Sequence, residues 1–193
     1  MLSDQQPRLQ LAFITGQSDP SCCALSPLQT AFGQALLRSN RTLRHQNFPY
    51  SEDTPEHRPV SLWRASLQNT AQYLKSRQSN FVRTYQGAME NMLNASPHTL
   101  LLAGSCGLEL LINLNLPQHM LQRISVLSYG PVARRIPTCA NLLTVVGNSD
   151  WISRITYGKA TRSVSCGHLN YLKQSELLVL AQQFATDVEA KLE

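Results

Sequence analysis

No stretch of this 193-residue chain approaches the roughly 18–20 consecutive apolar residues that cross a bilayer as a helix. The opening residues Met1 to Gln10 are polar and lack the apolar core of a secretion signal, so a cytoplasmic protein with no membrane partner is expected. Charge is also scarce. Charged residues make up 15% of the chain against 42% apolar, a balance that excludes a disordered polyampholyte and suits a globular core. The net charge of +5 is spread rather than concentrated. The groups Arg38, Arg41, Arg44 and Arg134, Arg135 read as solvated faces, without the aromatic-interleaved basic stripe of a nucleic-acid module, so no nucleic-acid partner is expected. There is no G-x-G-x-x-G and no Walker lysine, which leaves nucleotide binding without its usual loop. The five cysteines include no Cys-x-x-Cys, and none stands with histidine at zinc spacing. Reduced thiols and no metal are expected.

What is present alternates between two periods. Leu9 to Thr15 is a short apolar run ending at Gly16, a buried strand with a turn behind it. Ser26-Pro27 opens a helix carrying Leu28, Phe32 and Leu36 to about Arg38, and Thr42 to Phe48 reads as a weak, polar strand. Residues 51–59 form a proline-containing loop, and a helical region follows from about Ser61 to Asn94, interrupted near 76–79. Further strands are expected at Leu100–Ala103, Ile124–Tyr129, Leu142–Val146 and Ser163–Cys166. One helix starts just after Gly104, and an amphipathic helix begins at Gln174. Strands alternating with helices predict an α/β fold: a mostly parallel sheet of about six strands covered by helices on both faces, in a single domain over 1–193 with no cap domain.

Three segments carry chemistry. In Leu100-Leu-Leu-Ala-Gly-Ser-Cys-Gly107 an apolar strand runs into a turn with small residues two positions either side of Ser105, namely Ala103 and Gly107, and a helix follows at once. Small residues are required there because the turn holds its central residue in a strained backbone conformation, and bulky neighbours two positions away on either side would collide. Cys106 is the rival nucleophile, but its flanks would be Gly104 and the bulky Leu108. Leu142-Leu-Thr-Val-Val-Gly-Asn-Ser-Asp150 is a strand followed by a Gly-x-x-Asp loop, and Cys166-Gly-His168 leads toward the last helix. Taken separately, Asp150 also reads as a helix N-cap and His168 as a structural histidine. The remaining histidines, His45, His57, His98 and His119, stand in polar or loop contexts and read as surface residues.

The order Ser105, Asp150, His168, with the turn around Ser105, resembles the α/β-hydrolase superfamily, specifically its small uncapped serine hydrolases. The resemblance implies a nucleophilic Ser105, a His168 base, an Asp150 orienting acid, and an oxyanion hole from the backbone N–H groups of Gln17 and Cys106. The family usually has Gly where Ala103 stands and His where Thr15 stands. With eight residues before the first strand, the resemblance implies loss of the usual first two strands. It also implies esterase or thioesterase chemistry by an acyl-enzyme without cofactor, on a small-molecule ester or thioester, at a shallow open site. On the same resemblance the loop at 51–59 would be the nearest cover, and Pro131, Arg134, Arg135 and Pro137 would lie on the rim. A catalytically silent binding or scaffold protein of the same fold is the alternative.

Overall fold

The computed structural model describes residues 8–19, 21–47, 62–158 and 160–192. Along the chain run β1 (Leu9–Ile14), α1 (Pro27–Ala35), β2 (Arg41–Asn47), α2 (Leu62–Lys75), α3 (Ser79–Asn94), β3 (His98–Gly104), α4 (Gly107–Asn113), α5 (Gln118–Leu121), β4 (Ile124–Tyr129), β5 (Asn141–Gly147), α6 (Trp151–Thr156), β6 (Arg162–Val164) and α7 (Ser175–Ala190). The expected loop at 51–59 and His57 lie outside the described residues. The short helices α5 and α6 are additions to the elements expected from sequence, since four and six residues are too few to show a helical period.

Among the described residues the strands form one sheet in the order β2-β1-β3-β4-β5-β6, and each pair is parallel. β1, β3 and β4 are buried at every residue, because helices cover both faces. Side chains therefore alternate between two cores. Leu9, Leu11, Phe13, Leu100 and Leu102 pack with Phe32 and Leu36 of the α1 region and with Leu177 and Ala181 of α7. Ala12, Ile14, Leu101 and Ala103 pack with Met89 and Met92 of α3 and with Leu108 and Leu111 of α4. Strand-period alternation thus sends neighbouring residues to opposite layers.

α1 starts where Ser26 caps it. The Ser26 side chain accepts from the Gln29 N–H at 3.3 Å, while the Gln29 side chain accepts from the Ser26 N–H at 2.9 Å. β2 is one of the two edge strands, which explains its polar sequence. Within it Arg41 is not solvated as the sequence suggested. It is 4% exposed, and its guanidinium grips the Glu189 carboxylate at 2.6 and 2.5 Å from α7. No helix among the described residues is long and apolar enough to cross a membrane.

The order reverses direction beside β1: the chain goes outward to β2, then returns to β3 on the other side. Open parallel sheets bind ligands beyond the carboxyl ends of their strands at such a switch point. Parallel registry brings Ile14 level with Ala103, Gly104 with Tyr129, and Gly147 with Val164. The segments that follow these strands consequently gather along one edge of the sheet.

Candidate functional site

Ser105 leaves β3 with φ +51°, a left-handed conformation that a residue with a Cβ adopts only when its surroundings force it. The turn is clamped from both sides: Ser105 N–H donates to the Tyr129 carbonyl at 3.1 Å, and Val132 N–H donates to the Ser105 carbonyl at 3.0 Å. The flanking residues cannot grow. A Cβ on Gly107 would stand 1.9 Å from the Ile14 carbonyl oxygen, and one on Gly104 would stand 2.7 Å from the Tyr129 ring. Ala103, two residues before Ser105, points its methyl into the buried α3–α4 core, so Ala fits where the related motif usually has Gly.

From this turn Ser105 Oγ reaches His168 Nε2 at 3.0 Å, and the other ring nitrogen, Nδ1, lies 2.9 Å from Asp150 Oδ2. His168 follows β6 and Asp150 follows β5, so the three side chains come from segments that follow three different strands of the sheet. Asp150 is fully buried and also caps α6. Oδ1 accepts the Ser153 N–H at 3.0 Å, while Oδ2 accepts the Ser153 hydroxyl at 2.7 Å and the Tyr171 hydroxyl at 2.6 Å. The capping role and the histidine contact are thus performed by different oxygens of one carboxylate. Burial by itself would raise the Asp150 pKa. The donors from Tyr171, Ser153 and His168 outweigh it and hold the carboxyl below its ordinary value. Tyr171 is fixed in turn, because its oxygen accepts the Gly147 N–H at 2.6 Å.

No family model and no curated protein matches the chain. Solved structures do. The chain is similar to the esterase PE8 at 15% identity, over 96% of this chain and 94% of that one, with a TM-score of 0.54. A protein of unknown function from Agrobacterium tumefaciens, provisionally described as an α/β hydrolase, is similar at 10% identity over 99% and 90%, with a TM-score of 0.51. The fold is that of the α/β-hydrolases.

Of the two positions expected to supply oxyanion donors, Cys106 sits at the head of α4 directly after Ser105. Its side chain is 2% exposed, and burial pushes its thiol pKa up to about 12, which keeps it a neutral thiol. Gln17 follows β1 in a loop tied to β2: Asn47 accepts the Thr15 N–H at 3.0 Å and donates to the Thr15 and Gly16 carbonyls at 3.4 Å each. The backbone N–H of Gln17 is already engaged. It donates to Oε1 of Gln72 on α2 at 2.5 Å, while Gln72 Nε2 donates back to Gln17 Oε1 at 3.2 Å. The sequence carried no sign of this contact between residues 55 positions apart.

Ser105 lies half-buried in a cleft of about 1020 Å³, lined also by Gln17, Tyr73, Val132, Trp151, His168 and Leu169. α2 contributes Thr70 and Tyr73 to its lining. The arginines placed on the rim by sequence are elsewhere. Arg134 turns back to the buried Glu109 of α4, donating from its backbone N–H at 3.0 Å and from Nε at 3.2 Å, and Arg135 donates to Asn113. Burial opposes ionisation of Glu109, but the Arg134 contacts hold its carboxyl below the ordinary value. Pro131 and Pro137 also lie outside the cleft lining. His45 and His119 are exposed. His98 is not: it opens β3, is 4% exposed and bonds the Ser125 hydroxyl at 2.8 Å. Burial first, and the nearby Arg123 charge second, lower its pKa.

Proposed function

We propose that the protein is a serine hydrolase acting on small-molecule carboxylic esters or thioesters through an acyl-enzyme. The observation that carries the reading is the continuous hydrogen-bonded chain Ser105–His168–Asp150 at 3.0 and 2.9 Å, with its first member held at positive φ on the strand-to-helix turn. Ser105 Oγ attacks the carbonyl carbon while His168 Nε2 takes its proton. Asp150, bonded to Nδ1, keeps the proton of the neutral ring on Nδ1, so that Nε2 is the acceptor, and stabilises the imidazolium that forms. Tyr171 and Ser153 are the positioning residues for Asp150. The tetrahedral oxygen is received by the N–H groups of Cys106 and Gln17, and Gln72 turns away from Gln17 when that oxygen arrives. This chemistry calls for no metal or organic cofactor.

The test is labelling by a fluorophosphonate probe, with hydrolysis of p-nitrophenyl acetate beside it. Mass spectrometry of the digested adduct is expected to place the probe on Ser105, and Ser105→Ala is expected to abolish both signals. An adduct on Cys106, or hydrolysis that survives Ser105→Ala, overturns the assignment. One observation favours the alternative of a silent binding protein: the Gln72 amide occupies the Gln17 N–H. A folded protein that neither labels nor hydrolyses any activated ester would establish that reading instead.

A further inference from the structure

We propose that the cleft selects substrates by an apolar leaving group, an alcohol or thiol that lies on Trp151 and Leu169; the inference rests on the serine hydrolase reading above. The segments after β1, β2 itself and α2 line the cleft with polar residues such as Gln17, Asp19 and Thr70 mixed with apolar ones such as Ala24 and Tyr73. The segments after β5 and β6 contribute Trp151, Ile152 and Leu169 together with His168 and Asn170. Trp151 is 69% exposed and Leu169 67%, and Ile155, one turn along α6 from Trp151, is 77% exposed. Single exposed apolar residues are ordinary on a protein surface, but large ones gathered at the mouth of a cleft mark a binding surface.

Proton geometry says which part of the substrate meets that surface. Attack by Ser105 Oγ forms a bond to the carbonyl carbon, and the serine proton moves to His168 Nε2. Collapse of the tetrahedral adduct breaks the carbon–oxygen or carbon–sulfur bond, and the same Nε2 returns that proton to the departing atom. Water, deprotonated by His168, then hydrolyses the acyl-serine and releases the acid. The departing group must lie on the His168 side of the cleft to receive the proton. Leu169 is the next residue after His168, and Trp151 is the next residue after Asp150, which holds the ring. Both are therefore carried by the segments that fix the histidine. An aromatic face beside an aliphatic chain there is covered by an apolar alcohol and left wet by a polar one.

The test compares ethyl acetate with hexyl acetate, which share an acyl group and have leaving groups of similar intrinsic reactivity, each below its solubility limit so that adsorption to droplets plays no part. Four additional methylenes, about half covered, are expected to raise kcat/KM on the order of tenfold in the unaltered protein. Trp151→Ala and, separately, Leu169→Ser are expected to bring that ratio down toward one. Both residues are exposed, so neither change endangers folding. Val179→Ser, at an equally exposed apolar residue of α7 outside the cleft lining, is expected to keep the ratio. A ratio near one in the unaltered protein overturns the inference, as does a ratio that survives both cleft substitutions. Absence of turnover on both esters in a protein whose Ser105 is still labelled by the fluorophosphonate overturns the inference alone, whereas absence of both turnover and labelling overturns the hydrolase reading, and the inference falls with it.

Discussion

Gln72→Ala is expected to make the protein less stable and its site faster. Two hydrogen bonds join Gln72 to Gln17, one to the backbone N–H at 2.5 Å and one to the side-chain oxygen at 3.2 Å. A substrate oxygen that uses the Gln17 N–H must displace the first of them. A neutral hydrogen bond of this kind is worth about 0.5–1.5 kcal/mol net, so removing the competitor should raise the labelling rate about two- to thirteenfold. The donor itself should stay in place, because Asn47 ties Thr15 and Gly16 to β2 and the Gln17 amide donates to the Cys22 carbonyl at 3.3 Å. Losing both bonds should cost about 1–3 kcal/mol of stability, a fall in Tm of about 2–12 °C for a chain of this size. The assay is the second-order rate of fluorophosphonate labelling at a temperature well below either Tm, with thermal denaturation measured in parallel. A rate that is unchanged, or that drops while the protein remains folded, refutes the reasoning. Gln72 would then be a prop that aims the Gln17 N–H, not a competitor for it.

Two further substitutions probe the frame around the site. Tyr171→Phe removes a donor to Asp150 and leaves the buried Gly147 N–H without its acceptor, so hydrolysis should fall and stability should drop by roughly 2–5 kcal/mol in thermal or urea denaturation. The same change alters the acid limb. Asp150 has a lowered pKa, so its contribution to stability is present above the unfolded carboxylate value near 3.9 and is lost as pH falls through the lower folded value. With Tyr171→Phe the folded pKa moves back up toward the unfolded one, and the stability lost below about pH 4 should shrink; an unchanged acid dependence would show that Tyr171 does not hold the carboxylate. Gly107→Ala places a Cβ 1.9 Å from the Ile14 carbonyl oxygen, against backbone that cannot swing aside, and should cost about 3 kcal/mol or more, read as a Tm loss of roughly 6–12 °C or failure to accumulate folded protein. A variant that melts with the unaltered chain would mean that α4 and β1 do not approach this closely.

Much of the fold could be read because its elements are locally coded. The strand at Leu9 and that at Leu100 are short apolar runs between turn residues, and a sheet covered on both faces needs strands of that kind. The α1 start was visible in Ser26-Pro27 and its Gln29, since a capping box lies within four residues. The turn at Ser105 was visible for the same reason: the apolar strand, the small flanks and the helix that follows are contiguous. His98 misled because the residues before it, Ser96 and Pro97, are loop-formers, yet β3 begins at His98 itself and its side chain is buried. Arg41 and Arg134 misled in another way. An arginine in sequence shows its charge but not its partner, and Glu189 and Glu109 are brought to them only by the folded chain.

The division follows from range. Sequence alone determined the alternation of strands and helices, the strained turn bearing Ser105, and the chain order of the serine, acid and histidine, because each is written in contiguous residues under steric and hydrogen-bonding rules that act within a few positions. Tertiary structure decided the rest. It determined the distances from Ser105 to His168 and from His168 to Asp150, the Tyr171 bond to Asp150, the Gln72 amide on the Gln17 N–H, and the gathering of Trp151 and Leu169 into the lining of one cleft with Ser105. Those contacts join segments separated by whole strands and helices. Parallel pairing of the sheet sets their separation, and no periodicity along the chain records it.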